Sequence, residues 1–402
     1  MTHRFGILRR FRFNRPQRIA AGLLAVFLIQ GLTVTAFQTL TDRDYQYARC
    51  GRETWERPSA LAGYYTTCGN IHDGILAYRL AGLPLTLNVL AERALDAFRS
   101  PENKVVQTQG ELSTWELRHQ ITHILLLLRL PFLLAGCLLG GCLWWVTRRL
   151  YGDLGGYTAL ALYCFSPPVL RACLSPNTEV LTALGVYGGV YTCIGVAHAM
   201  QGPRRRWRPR IVLLTVLFGI AAASHIAALP VTALLGLLFM LWLAEGHRSQ
   251  VLPVLVAASV GALVLLLACY GFSPDAFSYV FRSAAGFLWF SLDPVRRFFL
   301  AFSNAGVTVA VSAALAVYFT VRRSRYFGNT APLLCGSICM VLVMTGVPGS
   351  PWLWSLPFVF TFIAGVFADM YESSRQRLAL AAAGAIVALQ AVLCICSLAG
   401  MV

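Results

Sequence analysis

Apolar runs of about eighteen or more residues recur along the chain from residue 19 to residue 400, each bounded by arginines, prolines or short polar breaks. A hydrocarbon core about 30 Å thick is crossed by a helix of that length. The pattern predicts eleven spans, at about 19–40, 121–147, 154–172, 178–200, 211–228, 230–245, 252–270, 298–320, 331–347, 352–370 and 378–400. The expected fold class is therefore all-α, a polytopic integral membrane protein with one transmembrane domain over residues 1–402 and no soluble C-terminal domain. Within 211–245, Pro230 with Ser224 and His225 just before it predicts a break into two short helices.

Composition agrees with this reading. Of 402 residues, 57% are hydrophobic and only 12% charged, against roughly a quarter charged in a soluble domain. The formal net charge of +16 comes almost wholly from arginine, at 32 of 33 basic residues. These arginines cluster between apolar runs, a topology signal that gives no reason to expect a nucleic-acid partner. With a cytoplasmic N-terminus the inside segments hold nineteen basic residues against four acids, and the rest of the chain fourteen against thirteen. The expected location is an integral membrane protein of the bacterial inner membrane. The apolar stretch after Arg18, about 22 residues, is too long for a signal-peptide core.

One outside loop dominates, residues 41–120, with 9 basic and 10 acidic side chains, and loops of that length usually carry function. Leu76, Leu80, Leu83, Leu87 and Leu90 fall on one helical face, with Pro84 as a kink. They predict a pair of amphipathic helices lying in the membrane interface. Ser113 and Glu116 form a capping-box pattern before the second span. Ten of the twelve cysteines fall in or at apolar runs, while Cys50 and Cys68 share the loop. In an oxidising compartment these two are candidates for a disulfide, the alternative being two unpaired thiols. Gly136 and Gly140, at GxxxG spacing, read as a close helix contact.

An uncleaved first helix, a long outside loop opening on acids and many short helices resemble the GT-C membrane glycosyltransferases. Local text is similar to their family-39 group, which includes protein O-mannosyltransferases and aminoarabinose transferases. Arg129-Leu130-Pro131, then Arg148 to Gly156, then Phe165-Ser166-Pro167 look like that group's R-x-P … R-x-x-G-x-x-x-G … S-P string. Phe218 to His225 resembles its G-x-A-x-x-x-K segment, with His in place of Lys. The resemblance implies sugar transfer from a polyprenyl-phosphate donor to an acceptor hydroxyl at the extracytoplasmic face, with membrane lipid as a further partner. It places the base at Asp42 or Asp44, a pair interrupted by Arg43.

Such a transfer needs a base for the hydroxyl proton and a cation for the leaving phosphate. Glu179, after Ser175-Pro176, is a candidate second acid; the structural alternative is a first-turn carboxylate favoured by the helix dipole, with Ser175 as cap. Arg171 and His225 are the candidate phosphate cations; the alternatives are a snorkelling arginine and a packed histidine. Arg129, some 15 residues into its helix, needs a partner and is expected to brace helices. Glu116, His119 and His123 share a face, and two His at i, i+4 can bind a metal, but without a defined third ligand interfacial hydrogen bonding is the favoured reading. A divalent metal ion is an open cofactor. Two alternatives stand beside the enzyme: a GT-C-like lipid-binding or accessory protein without catalysis, and a secondary transporter.

Overall fold

The computed structural model describes residues 14–56, 74–98, 114–202, 207–274, 277, 280, 288–320, 326–344, 352–373 and 376–399. For 96–98, 114–119, 288, 326–327 and 343–344 only the backbone is described. Helix α1 is Arg15–Phe37, entered through a capping box between Asn14 and Gln17 with Pro16 in the first turn. Two helices follow that are not long apolar spans, α2 (Asp42–Glu56) and α3 (Ile75–Phe98, with Pro84 inside). Then come α4 (Thr114–Cys164), α5 (Pro167–Leu174), α6 (Glu179–Met200), α7 (Arg208–Ser224), α8 (Ala228–Leu243) and α9 (Arg248–Cys269). A short antiparallel pair, β1 (Leu288–Phe290) with β2 (Leu342–Met344), is the one sheet among the described residues. The remaining helices are α10 (Asp293–Leu300), α11 (Ala305–Thr320), α12 (Tyr326–Val341), α13 (Trp352–Glu372) and α14 (Gln376–Ala399).

Seven helices among the described residues are long and apolar enough to cross a membrane, where the sequence pattern predicts eleven spans. Part of the difference is α4, whose 51 residues reverse direction at Gly152, at φ 79° and ψ −172°. A residue with a Cβ resists that left-handed turn. The second arm folds back on the first: Tyr163 donates to the carbonyl of Gly136 at 2.7 Å, and Gly156 lies against Arg148 and Trp144. The stretch 154–172 is thus this arm plus α5, parted at Ser166 before Pro167. Helices α8 and α12 are apolar but short, 16 residues each.

The 211–245 stretch does break, but at His225 to Ala227 rather than at Pro230. Pro230 sits in the first turn of α8, where its missing N–H costs nothing. The Gly136–Gly140 contact is also built: a Cβ on Gly136 would lie 2.5 Å from Cys173 Sγ, and one on Gly140 2.9 Å from Tyr163 Cε1. α1 and the far arm meet α4 there. At the centre, α6 and α13 are apolar all round and largely enclosed, as a helix without a polar face must be.

α3 is one helix running through Pro84, where the sequence predicts a pair of helices kinked there, and its inward face is formed largely by residues outside the leucine stripe. Ala77, Tyr78, Ala81 and Leu85 are buried, while Leu87 and Leu90 are more than half exposed. Small residues take the inward side because α2 and α3 cross backbone to backbone: a Cβ on Gly82 would lie 2.1 Å from the carbonyl carbon of Gly51. Cys50, buried at this crossing, is disulfide-bonded. Cys68, and with it the expected pairing, lies outside the described residues, as does Ser113; the side chains of Glu116 and His119 do too.

Candidate functional site

Helix α2 begins with a reciprocal cap. Asp44 N–H donates to Thr41 Oγ1 at 3.2 Å, and Thr41 N–H and its hydroxyl donate to Asp44 Oδ2 at 3.1 and 2.8 Å. This capping box fixes where the helix starts, and so which way its acids face. At 3.6 residues per turn, two positions apart is about 200°. Asp44 is accordingly 0% exposed, whereas Asp42 and Arg43 are exposed. The arginine between the two acids is the geometric consequence of that turn.

Buried Asp44 meets Arg129, itself 2% exposed. Arg129 Nη2 donates to Asp44 Oδ2 at 2.6 Å, Nε to Oδ1 at 3.3 Å, and Nη1 to Gln38 Oε1 at 2.6 Å. A charge out of water is tolerated when it is paired and hydrogen-bonded. Arg129 thus ties α4 to α2 and to the end of α1, the bracing arrangement expected of it. Asp44, one of the two acids at which the resemblance places the base, is enclosed by Arg129 and its own cap.

Further contacts join helix ends beside α2. Tyr47 and Tyr78 stack with centroids 4.1 Å apart and planes 7° off parallel, joining α2 to the start of α3. Burial, then the neighbouring Tyr78, pushes the Tyr47 phenol far up; burial also raises that of Tyr78. Both stay neutral. The charges of Arg43 and Glu179 also reach Tyr47, which places the α2 start and the first residue of α6 in one electrostatic neighbourhood. Gly74, at φ +86°, packs so tightly that a Cβ there would lie 2.3 Å from Thr178 Cγ2 and 3.4 Å from the carbonyl oxygen of Ser224.

Glu179 opens α6, capped through Asn177 rather than Ser175. The Glu179 N–H donates to Asn177 Oδ1 at 3.0 Å, while Asn177 Nδ2 donates to the carbonyls of Ala172 and Ser175 at 2.6 and 3.0 Å. His225 closes α7, 6% exposed, its ring 5.6 Å from that of buried Trp354 near the start of α13. Gly74, at the entry to α3, is therefore packed against the residues that precede Glu179 and His225, and α2 is joined to this end through the Tyr47–Tyr78 stack. Arg171 is not among them: it is exposed and donates from Nη2 to Ser397 Oγ of α14 at 2.8 Å.

Sequence reasoning passed over Tyr47, Tyr78, Gly74 and Trp354, whose roles arise from contacts between distant segments; Arg43 was visible only as an interruption. Among the described residues no three His, Cys, Asp or Glu side chains come together as a metal site.

The arrangement defines a class of fold: a helical bundle in which seven helices among the described residues are long and apolar enough to cross a membrane, with two loop helices after the first of them. The particular likeness is to the crystal structure of the Archaeoglobus fulgidus oligosaccharyltransferase in complex with Zn and sulfate, at a TM-score of 0.53 and 12% identity. The alignment covers 94% of this chain and 53% of that one, so the chain spans about half that enzyme's length. No family model and no curated protein matches the sequence.

Proposed function

We propose that the protein is a membrane glycosyltransferase that moves a sugar from a polyprenyl-phosphate donor to an acceptor hydroxyl at the extracytoplasmic face. The observation that carries this reading is that Glu179 and His225, far apart in the chain, each follow a residue packed against Gly74, and that the helix bearing Asp42 joins the same end of a GT-C-like bundle through the Tyr47–Tyr78 stack. The charge pattern supports placing that end outside the cytoplasm.

In this reading Asp42 is the base, because it is the acid of the pair whose side chain is exposed. It takes the proton of the acceptor hydroxyl as the acceptor oxygen bonds to the anomeric carbon. The bond from that carbon to the phosphate oxygen breaks, and polyprenyl phosphate leaves with the electron pair. Arg43, beside Asp42, and His225 are the cations for the growing phosphate charge. Asp44 and Arg129 are positioning residues that fix the direction of Asp42 by locking the first turn of α2.

The test is transfer in proteoliposomes across a panel of polyprenyl-phosphate sugars. Asp42→Asn should cost at least about 100-fold in rate, the usual worth of a general base, with the folded protein unchanged. A wild-type rate in Asp42→Asn removes the mechanism. The occupation of Asp44 by Arg129 supports a second reading, a donor-binding accessory protein; binding without turnover for every sugar in the panel would favour it.

A further inference from the structure

A short amphipathic element lies at the same end of the bundle, outside the site just described. Helix α10 buries Pro294 and Phe298, and Phe298 packs on Trp352 with ring centroids 5.2 Å apart. Trp352 lies two residues before Trp354, which contacts His225. The outward side carries Arg296 and Arg297, both exposed. Among the described residues neither guanidinium has a hydrogen-bond or ion-pair partner. Around them Trp289 is 52% exposed, Phe290 73%, Leu292 73%, Leu300 74% and Phe302 81%.

Neither half of this surface is explained alone. Large apolar side chains so exposed need a nonpolar medium, and two adjacent arginines need water or anions. A protein partner would satisfy either half. The bilayer interface satisfies both: aromatic and aliphatic side chains enter the acyl boundary, and guanidiniums remain at phosphate level. Arginine at this end also runs against the inside bias of the other clusters, and anionic headgroups supply the compensating charge.

We infer that the 288–302 segment docks anionic phospholipid headgroups through Arg296 and Arg297, beside the membrane face that carries His225. The inference goes beyond the proposed activity and does not rest on it.

A photo-cross-linking residue placed at Leu300 or Phe302 tests it, with the full chain in nanodiscs of equimolar phosphatidylglycerol and phosphatidylcholine. Leu234, 68% exposed in the middle of α8, serves as the control position. Adducts at Leu300 should favour phosphatidylglycerol by about fivefold per arginine, and Leu234 should show no preference. Arg296→Gln with Arg297→Gln should abolish the bias, while the double lysine variant keeps it. Equal adducts with both lipids, or adducts to protein, would overturn the dock. Loss of the phosphatidylglycerol adducts on adding a few mole per cent of polyprenyl phosphate would reassign it to the sugar donor and overturn it equally. An unchanged thermal midpoint in the glutamine variant separates lost binding from lost folding.

Discussion

Each end of the bundle holds an acid, Asp44 fully buried at one and Asp369 half-buried at the other, and the two are held differently. At the site end Asp44 faces a guanidinium, with both side chains almost wholly out of solvent and Thr41 and Gln38 completing the set. At the other end Asp369 Oδ2 accepts from the amide of Asn329 at 2.5 Å, Asn329 being 0% exposed, and Tyr151 donates to the carbonyl of Gly328. One end is fastened by a charge pair; at the other, the acid accepts from a neutral amide. A buried pair contributes little over an apolar substitute, yet it is costly to break from one side. It therefore suits a place where a single orientation must be kept, as at the first turn of α2.

The largest expected effect tests that contrast directly. Arg129→Met leaves the Asp44 carboxylate buried without its cation and should cost about 3–5 kcal/mol. Asn329→Ala removes a neutral donor and should cost about 1–3 kcal/mol. Thermal midpoints in one detergent compare the two, and the Asp44→Leu, Arg129→Met double variant should recover much of the single loss. Equal damage from Arg129→Met and Asn329→Ala would end the distinction between the ends.

A smaller effect sharpens the account of how α2 is held. Gly82→Val places a side chain where a Cβ alone would already lie 2.1 Å from the Gly51 backbone, and overpacking of this kind costs about 1–3 kcal/mol. Gly141→Ala, with nothing within 4 Å of its Cβ, is the control. It should be neutral or slightly stabilising, since alanine favours the helix. If Gly82→Val leaves the midpoint in place, the α2–α3 crossing is looser than described.

What the sequence made legible follows the range of each interaction. Long apolar runs mark helices wherever hydropathy alone decides, as in α1, α6, α9 and α14. The need of Arg129 for a partner was readable too, because an arginine deep in an apolar run has few ways to exist. Asp42 and Asp44 could not be told apart, since their directions depend on where α2 begins. That is set by the Thr41 cap in a helix too polar for a hydropathy scan. The junction of Gly74 with Thr178 and Ser224 joins segments about 100 and 150 residues apart and has no local signature. The cap at Asn177, expected at Ser175, shows the same limit at short range: both residues are good caps, and the fold of the turn chooses.

Arg171 offers the smallest expected effect and the cleanest discrimination among the cations. Short α5 ends beside α14, so its arginine reaches Ser397 rather than the α2 start. An exposed hydrogen bond of this kind is worth little, and Arg171→Gln should shift stability by no more than about 0.5 kcal/mol. Sugar transfer should stay near the wild-type rate. Arg43→Gln, beside Asp42, should instead lower the rate while leaving the midpoint unchanged, because it removes charge from an exposed side chain at the site. A rate loss in Arg171→Gln that matched or exceeded that of Arg43→Gln would return the phosphate to Arg171. It would also require the α5–α14 contact to open during turnover, which a Ser397→Ala variant would then accelerate.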